Sequence, residues 1–136
     1  MTPFRFGVRV YYEDTDAAGV VYYANYLKYM ERARTEWLAA LGFDVAALAR
    51  EHAIAFAVHR LELEYLLPAR LGDRLEVTVE PCARGRARLV LDQAICRAGD
   101  VLVRGHVALA CVDPAAWRPA RLPAFLAAAL QQRGTA

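Results

Sequence analysis

Lysine is almost missing from this chain. The 17 basic residues are sixteen Arg and one Lys, Lys28, against 15 acids, so the formal net charge is only +2. Without a basic excess, the chain does not read as a dedicated nucleic-acid binder. The Arg count alone says nothing about phosphate binding. Ala is also over-represented, at 27 of 136 residues, and a GC-rich coding sequence raises both. Cysteine is scarce too: Cys82, Cys96 and Cys111 are odd in number, far apart, and form no CxxC or Cys/His pair at metal-ligand spacing. They are expected to be free thiols in a reducing compartment. No apolar run approaches the ~20 residues of a membrane helix, and no leader pattern precedes Phe4–Tyr12, so a cytoplasmic protein without a membrane span is expected. Repeats, linkers and low-complexity stretches are absent. The 57% of apolar residues argues against disorder, and 136 residues suit one domain, residues 1–136, able to build its own core.

What is present is periodicity of two kinds. Phe4, Phe6, Val8 and Val10 alternate with polar or small residues, as in a strand. Tyr12 to Gly19 breaks the pattern with turn-forming residues. From Tyr23 the step becomes three and four: Tyr23, Tyr26, Leu27, Met30, Ala33, Trp37 and Leu41 recur on one side, opposite Lys28, Glu31, Arg32, Thr35 and Glu36. That spacing predicts a long amphipathic helix, with Gly42 as its C′ residue. Asp44 is placed to cap a second short helix through about Arg50. Ile54–Leu67 reads as a long strand whose apolar phase slips near His59-Arg60, the mark of a bulge or strong bend. Strands around Leu75–Val79, Leu89–Ile95 and Val101–Cys111 follow, separated by turns at Gly72-Asp73, Arg84-Gly85 and Ala98-Gly99-Asp100. Pro114 and Pro119 precede a short helix from Ala124 to Gln132. The expected architecture is α+β, an antiparallel five-stranded sheet wrapped around one long central helix. Such a sheet is expected to leave its second face apolar and uncovered, so an oligomer is expected as well.

The chemistry concentrates between Tyr11 and Trp37. Glu13, Asp14 and Asp16 lie ahead of a helix start, and Gly19 permits a tight turn. The amides of Tyr22, Tyr23 and Ala24 have no helical acceptors there. Free amides at the positive end of a helix stabilise a developing oxyanion, and a carboxylate beside them can attack or activate water. The same acids also suit helix capping or a solvated loop.

The motif Asp14-Thr15-Asp16-Ala17-Ala18-Gly19-Val20-Val21-Tyr22-Tyr23-Ala24-Asn25-Tyr26 resembles the YbgC-like branch of the 4-hydroxybenzoyl-CoA thioesterase family, whose members have the hotdog fold. Glu31-Arg32-Ala33-Arg34-Thr35-Glu36, Cys111-Val112-Asp113-Pro114 and Arg118–Pro123 extend the likeness over nearly the whole chain. The resemblance implies a cofactor-free acyl-CoA thioesterase releasing a carboxylic acid and CoA. It makes Asp16 the catalytic carboxylate, as nucleophile or general base. Tyr23 becomes the backbone donor to the thioester oxygen, and Gly19 the turn glycine. Many members of the branch carry His where Tyr23 stands, and a backbone donor survives that change. The resemblance also implies a homodimer or homotetramer, with the site between protomers. A thioesterase acting on acyl carrier protein, and a non-catalytic hotdog scaffold in an envelope or lipid-synthesis complex, are the alternatives.

Arg84-Gly85-Arg86-Ala87-Arg88 sets three arginines at alternate positions around a turn. The family binds the nucleotide end of CoA near this turn, which makes Arg84 and Arg86 candidates for its phosphates; an exposed edge protected by charge is the plain alternative. Tyr22, Tyr26, Tyr29 and Trp37 read as core, with Tyr22 and Tyr26 candidates to border the acyl group. Glu13 and Asp14 read as loop-positioning or solvated acids. Glu31 and Glu36 read as ion-pair partners of Arg34 and Arg32, and Glu31 is also weighed as a helix carboxylate. His52, His59 and His106 stand beside no recognisable nucleophile and read as structural or surface histidines.

Overall fold

Alternating apolar residues build five long antiparallel segments into one sheet in the computed structural model, which describes residues 3–134. The strands are β1 (Phe4–Arg9), β2 (Ala55–Tyr65), β3 (Arg74–Arg84), β4 (Arg88–Arg97) and β5 (Asp100–Asp113), in the spatial order β1-β3-β4-β5-β2. A sixth, two-residue strand that the periodicity did not reveal, β6 (Arg118–Pro119), pairs with the end of β5. The helices are α1 (Asn25–Ala40), α2 (Val45–His52) and α3 (Ala124–Gly134).

The inner rows of the sheet are Leu75, Val77 and Val79 from β3, Leu89, Leu91 and Ile95 from β4, and Val103, Val107 and Cys111 from β5, all buried. They close against the buried face of α1, Tyr26, Tyr29, Met30, Ala33, Trp37 and Leu38. Gly105 lets the helix come close: a Cβ there would lie 2.8 Å from Met30 Cε and 2.9 Å from Leu63 Cδ2. The phase slip in β2 is a bulge between Val58 and Arg60, which pairs Val58 with Leu109 and Leu61 with Val107. One inserted residue therefore keeps both halves of the strand facing the helix.

The end of α1 is a Schellman motif. Phe43 N–H donates to Leu38 O and Gly42 N–H to Ala39 O, both at 2.9 Å, with Gly42 at φ +97°. Asp44 caps α2 by accepting from Ala47 N–H at 2.9 Å. α1 starts two residues later than its periodicity suggested, because Tyr22–Ala24 form a turn ahead of it.

The expectation of an apolar outer sheet face is wrong. The register sets Glu80, Asp92, His106 and Glu62 in one row across β3, β4, β5 and β2, beside Glu76, Arg104 and Glu64. Exposed apolar side chains gather elsewhere: Val58 and Tyr65 on β2, then Leu66, Leu67 and Leu71 in the loop that follows. Among the described residues β2 pairs only with β5, which leaves its other edge open.

Candidate functional site: the Asp16 hairpin and the start of the central helix

Between β1 and α1 the chain makes a 3-10 turn at Tyr12–Asp14 and then a small hairpin closed by a bridge between Thr15 and Val21. Asp16 N–H donates to Val20 O at 2.9 Å, and Gly19 N–H returns to Asp16 O at 3.0 Å. Gly19 sits at φ +81°, where a side chain would be strained. The Asp16 carboxylate is exposed at the tip. Its Oδ1 accepts from Ala18 N–H at 2.8 Å, an Asx turn that aims the side chain. Its second oxygen has no protein partner among the described residues.

Asp14, two residues earlier, has the opposite environment. It is buried, with Oδ2 accepting from Tyr11 N–H at 2.8 Å and Oδ1 from Asn25 Nδ2 at 2.9 Å. Its carbonyl takes the Tyr22 N–H at 2.8 Å. Of the three amides expected to be free, that of Tyr22 is therefore committed. Those of Tyr23 and Ala24 have no acceptor among the described residues. The Ncap of α1 is Ala24, which offers no side-chain cap, and Asn25 spends its side chain on Asp14. An uncapped helix start leaves donors available to an anion. Asp14 is thus the brace between hairpin and helix rather than a solvated acid.

A second brace comes from far along the chain. Tyr65 Oη–H donates to Tyr23 O at 2.9 Å, and Ala69 N–H donates to Tyr26 Oη at 3.1 Å. Val21 N–H donates to Ala69 O at 2.8 Å, and Val20 bridges Arg70. The 66–73 loop is in turn held by Asp73, which accepts from Arg70 N–H at 2.8 Å and from Arg97 Nη1 at 2.7 Å. The Arg70 amide first, then Arg97, keep the Asp73 carboxyl below the usual range, partly offset by burial. Sequence reasoning missed Tyr65, Ala69 and Asp73, and no local spacing signals them.

The remaining candidates divide. Tyr26 is buried and its hydroxyl is occupied, so within the protomer it supports the loop. Tyr22 is half-exposed, a correction to its reading as core, and its ring centroid lies 4.9 Å from that of Tyr23 in a tilted contact. Its phenol is held above the ordinary tyrosine value, by Tyr23 first and, more weakly, by Asp16. Burial and then the Asp14 charge raise the Tyr29 phenol; its hydroxyl feels that carboxylate without reaching hydrogen-bond geometry. The helix ion pairs expected for Arg34 and Arg32 do not form among the described residues. Arg34 turns inward to Gln93 Oε1 at 3.0 Å, and Gln93 donates to Met30 O at 3.1 Å. Burial lowers the Arg34 pKa while the nearby Glu31 charge opposes it.

Around the β3–β4 turn the three arginines separate. Arg84 ends β3 and Arg88 begins β4. The Arg84 guanidinium is tied to α3 through Ala127 O and Gln131 Oε1. Arg86 is exposed.

The model of the thioesterase-like superfamily matches residues 10–130. The chain belongs to that superfamily. Among thioesterase sequences it is similar to the acyl-CoA thioester hydrolase YbgC of Escherichia coli O6:H1, at 45% identity over 96% of this chain and 98% of the relative. Among solved thioesterases it is similar to a probable thioesterase from Bartonella henselae, with TM-score 0.86 and 33% identity over 90% of this chain and all of that one. A 1,4-dihydroxy-2-naphthoyl-CoA thioesterase from Synechocystis also superposes with TM-score 0.86, at 26% identity over 95% of this chain and 96% of that one. This thioesterase accordingly has the hotdog fold, and it carries the YbgC-like signature at the hairpin where the geometry above converges. No helix of its described residues is long and apolar enough to cross a membrane.

Proposed function

We propose that this thioesterase hydrolyses acyl-CoA, with Asp16 as its catalytic carboxylate and the Tyr23 amide as its oxyanion donor. The observation that carries the reading is one exposed carboxylate with an uncommitted oxygen, on a hairpin braced against an uncapped helix start whose Tyr23 amide is free. As the thioester carbonyl becomes tetrahedral, its oxygen gains negative charge. A preorganised N–H lowers that barrier because it need not reorient. The free oxygen of Asp16 attacks the carbonyl carbon to give an anhydride that water then opens, or removes a proton from the attacking water. In both routes the C–S bond breaks, the CoA thiolate leaves and takes a proton, and the acid is released. Asp14 stays out of the chemistry, since both its oxygens are committed.

Arg86 is the proposed contact for the CoA phosphates, with Arg84 supporting the turn through α3 and Arg88 adding charge. Tyr22 borders the acyl group next to Asp16. The open β2 edge and the exposed Val58, Tyr65, Leu66 and Leu67 suit pairing with a second copy, which would complete the site. Three free cysteines agree with a reducing, cytoplasmic setting.

The test is thiol release from a panel of aliphatic and aromatic acyl-CoA esters. Asp16→Asn should lose at least about a hundredfold in kcat, on the scale of one general base or more, with its assembly and melting temperature unchanged. Turnover by Asp16→Asn near wild type sinks the assignment. Release from acyl-carrier-protein esters alone replaces the carrier, and release from neither points to a scaffold.

A further inference from the structure

The outer face of the sheet holds a second cluster of chemistry, made by register rather than by sequence spacing. Cys82, Asp92 and His106 come from β3, β4 and β5, and one ligand atom of each lies within 4.8 Å of the others. His106 Nδ1 is 2.6 Å from Asp92 Oδ1. A bulge between Pro81 and Ala83 breaks the β3 pairing at Cys82, two residues beyond the point where Glu80 pairs with Asp92. Like charges directly opposite each other in a sheet are destabilising, and here Glu80, Asp92 and Glu62 stand in one row with only His106 among them. The adjoining concavity of about 550 Å³ is lined by Glu62, Glu64, Glu80 and Asp92, with Arg104 and His106 as its basic groups.

We propose that Cys82, Asp92 and His106 form a zinc site that staples β3, β4 and β5 on the face opposite the central helix, with Glu80, which pairs with Asp92 across the sheet, as a fourth ligand. The donor set is one sulfur, one nitrogen and carboxylate oxygen, which suits a borderline-soft, tetrahedral dication. Zinc bond lengths of ~2.0–2.3 Å at tetrahedral angles put ligand atoms roughly 3.3–3.6 Å apart. The Asp92–His106 contact opens slightly on binding, and the wider separations close by about 1 Å. All three side chains are exposed, so rotamer changes suffice. Zn²⁺ takes the Cys82 thiolate, and the thiol proton goes to solvent. Burial, then Asp92 and Glu80, push the free Cys82 thiol up. Affinity therefore weakens as pH falls, by about tenfold per unit from the displaced thiol proton.

The experiment titrates the full chain with Co²⁺ as a spectroscopic probe and with Zn²⁺ as competitor. The expected result is one equivalent per protomer, with thiolate-to-cobalt charge-transfer absorption in the near ultraviolet that Zn²⁺ abolishes. Cys82→Ser should remove that absorption. His106→Gln should weaken binding at least about a hundredfold, since loss of even an outer-sphere partner costs ~10–100-fold. Zn²⁺ should raise the melting temperature of the wild type but not of Cys82→Ser, because a ligand that binds only the folded state stabilises it. Absence of charge-transfer absorption in the wild type overturns the site. So does its survival in Cys82→Ser, which would move the metal to Cys96 or Cys111, or unchanged affinity in His106→Gln. Far-ultraviolet circular dichroism of each variant confirms that it is folded before titration.

Discussion

Asp14 and Asp16 are two residues apart, yet their substitutions should fail in opposite ways. Asp14→Ala leaves the Tyr11 N–H and the Asn25 side-chain amide without their shared acceptor, at 2.8 and 2.9 Å in the native protein. A hydrogen bond to a charged acceptor contributes ~1.5–3 kcal/mol. Tyr11 lies at the surface, so water recovers part of its bond, and a total loss of about 3 kcal/mol is expected. That is a large part of a domain stability of ~5–15 kcal/mol. For a chain of this size it lowers the melting temperature by roughly 9–15 °C. Asp14→Asn should lose less than half as much. The new amide can face Tyr11 with its oxygen while Asn25 flips to accept from its nitrogen. Asp16→Asn should leave the melting temperature near wild type, since an Asn oxygen still accepts from Ala18 N–H. Calorimetry of the three variants, with thiol release measured below each melting point, reads stability and chemistry separately. An Asp14→Ala protein that melts within about 2 °C of wild type, or an Asp16→Asn protein that loses as much stability as Asp14→Ala, would refute the division of roles.

Tyr65→Phe removes the bond to Tyr23 O; kcat should fall several-fold with KM nearly unchanged, because the peptide that follows the Tyr23 donor loses its anchor, and steady-state kinetics checks this. Gly105→Ala meets only the flexible ends of Met30 and Leu63 and should cost about 1 kcal/mol, whereas Gly105→Val should cost ~2–3 kcal/mol in urea unfolding, with Met30→Ala recovering part of the valine loss. Asp73 has its folded pKa below its unfolded value. Its contribution of about 1 kcal/mol is therefore complete above the unfolded value of ~3.9 and is lost as pH falls through the folded one. Thermal melts of wild type and Asp73→Asn should differ by a constant amount from pH 7 to pH 5 and converge below pH ~4.

Most of the fold was legible because each segment announces its own partner face. The two-residue alternation of Leu75, Val77 and Val79 and the three-and-four step of Tyr26, Met30, Ala33 and Trp37 both survive into buried rows. Gly42 and Asp44 mark helix ends by local stereochemistry, and the β2 bulge appeared as a lost phase at His59-Arg60. β6 was not legible, since two residues carry no period. The outer sheet face was misread because pairing register, not composition, decides which residues share a row. Arg34 was misread because helical spacing offers it Glu31, while the fold offers it Gln93 from the opposing strand.

At the site, the sequence by itself determined the parts: a short acidic loop, a glycine able to take φ +81°, and a helix starting without a capping side chain. Those features are local, so they depend only on neighbours along the chain. Tertiary structure decided which acid is buried as a brace and which is left exposed. It also set the Tyr23 peptide against Tyr65 and tied the hairpin to the 66–73 loop through Ala69. It alone gathered Cys82, Asp92 and His106 from three strands. Such arrangements depend on strand register and on long-range hydrogen bonds. A one-residue shift in register would reverse every face while leaving the local pattern of the sequence the same.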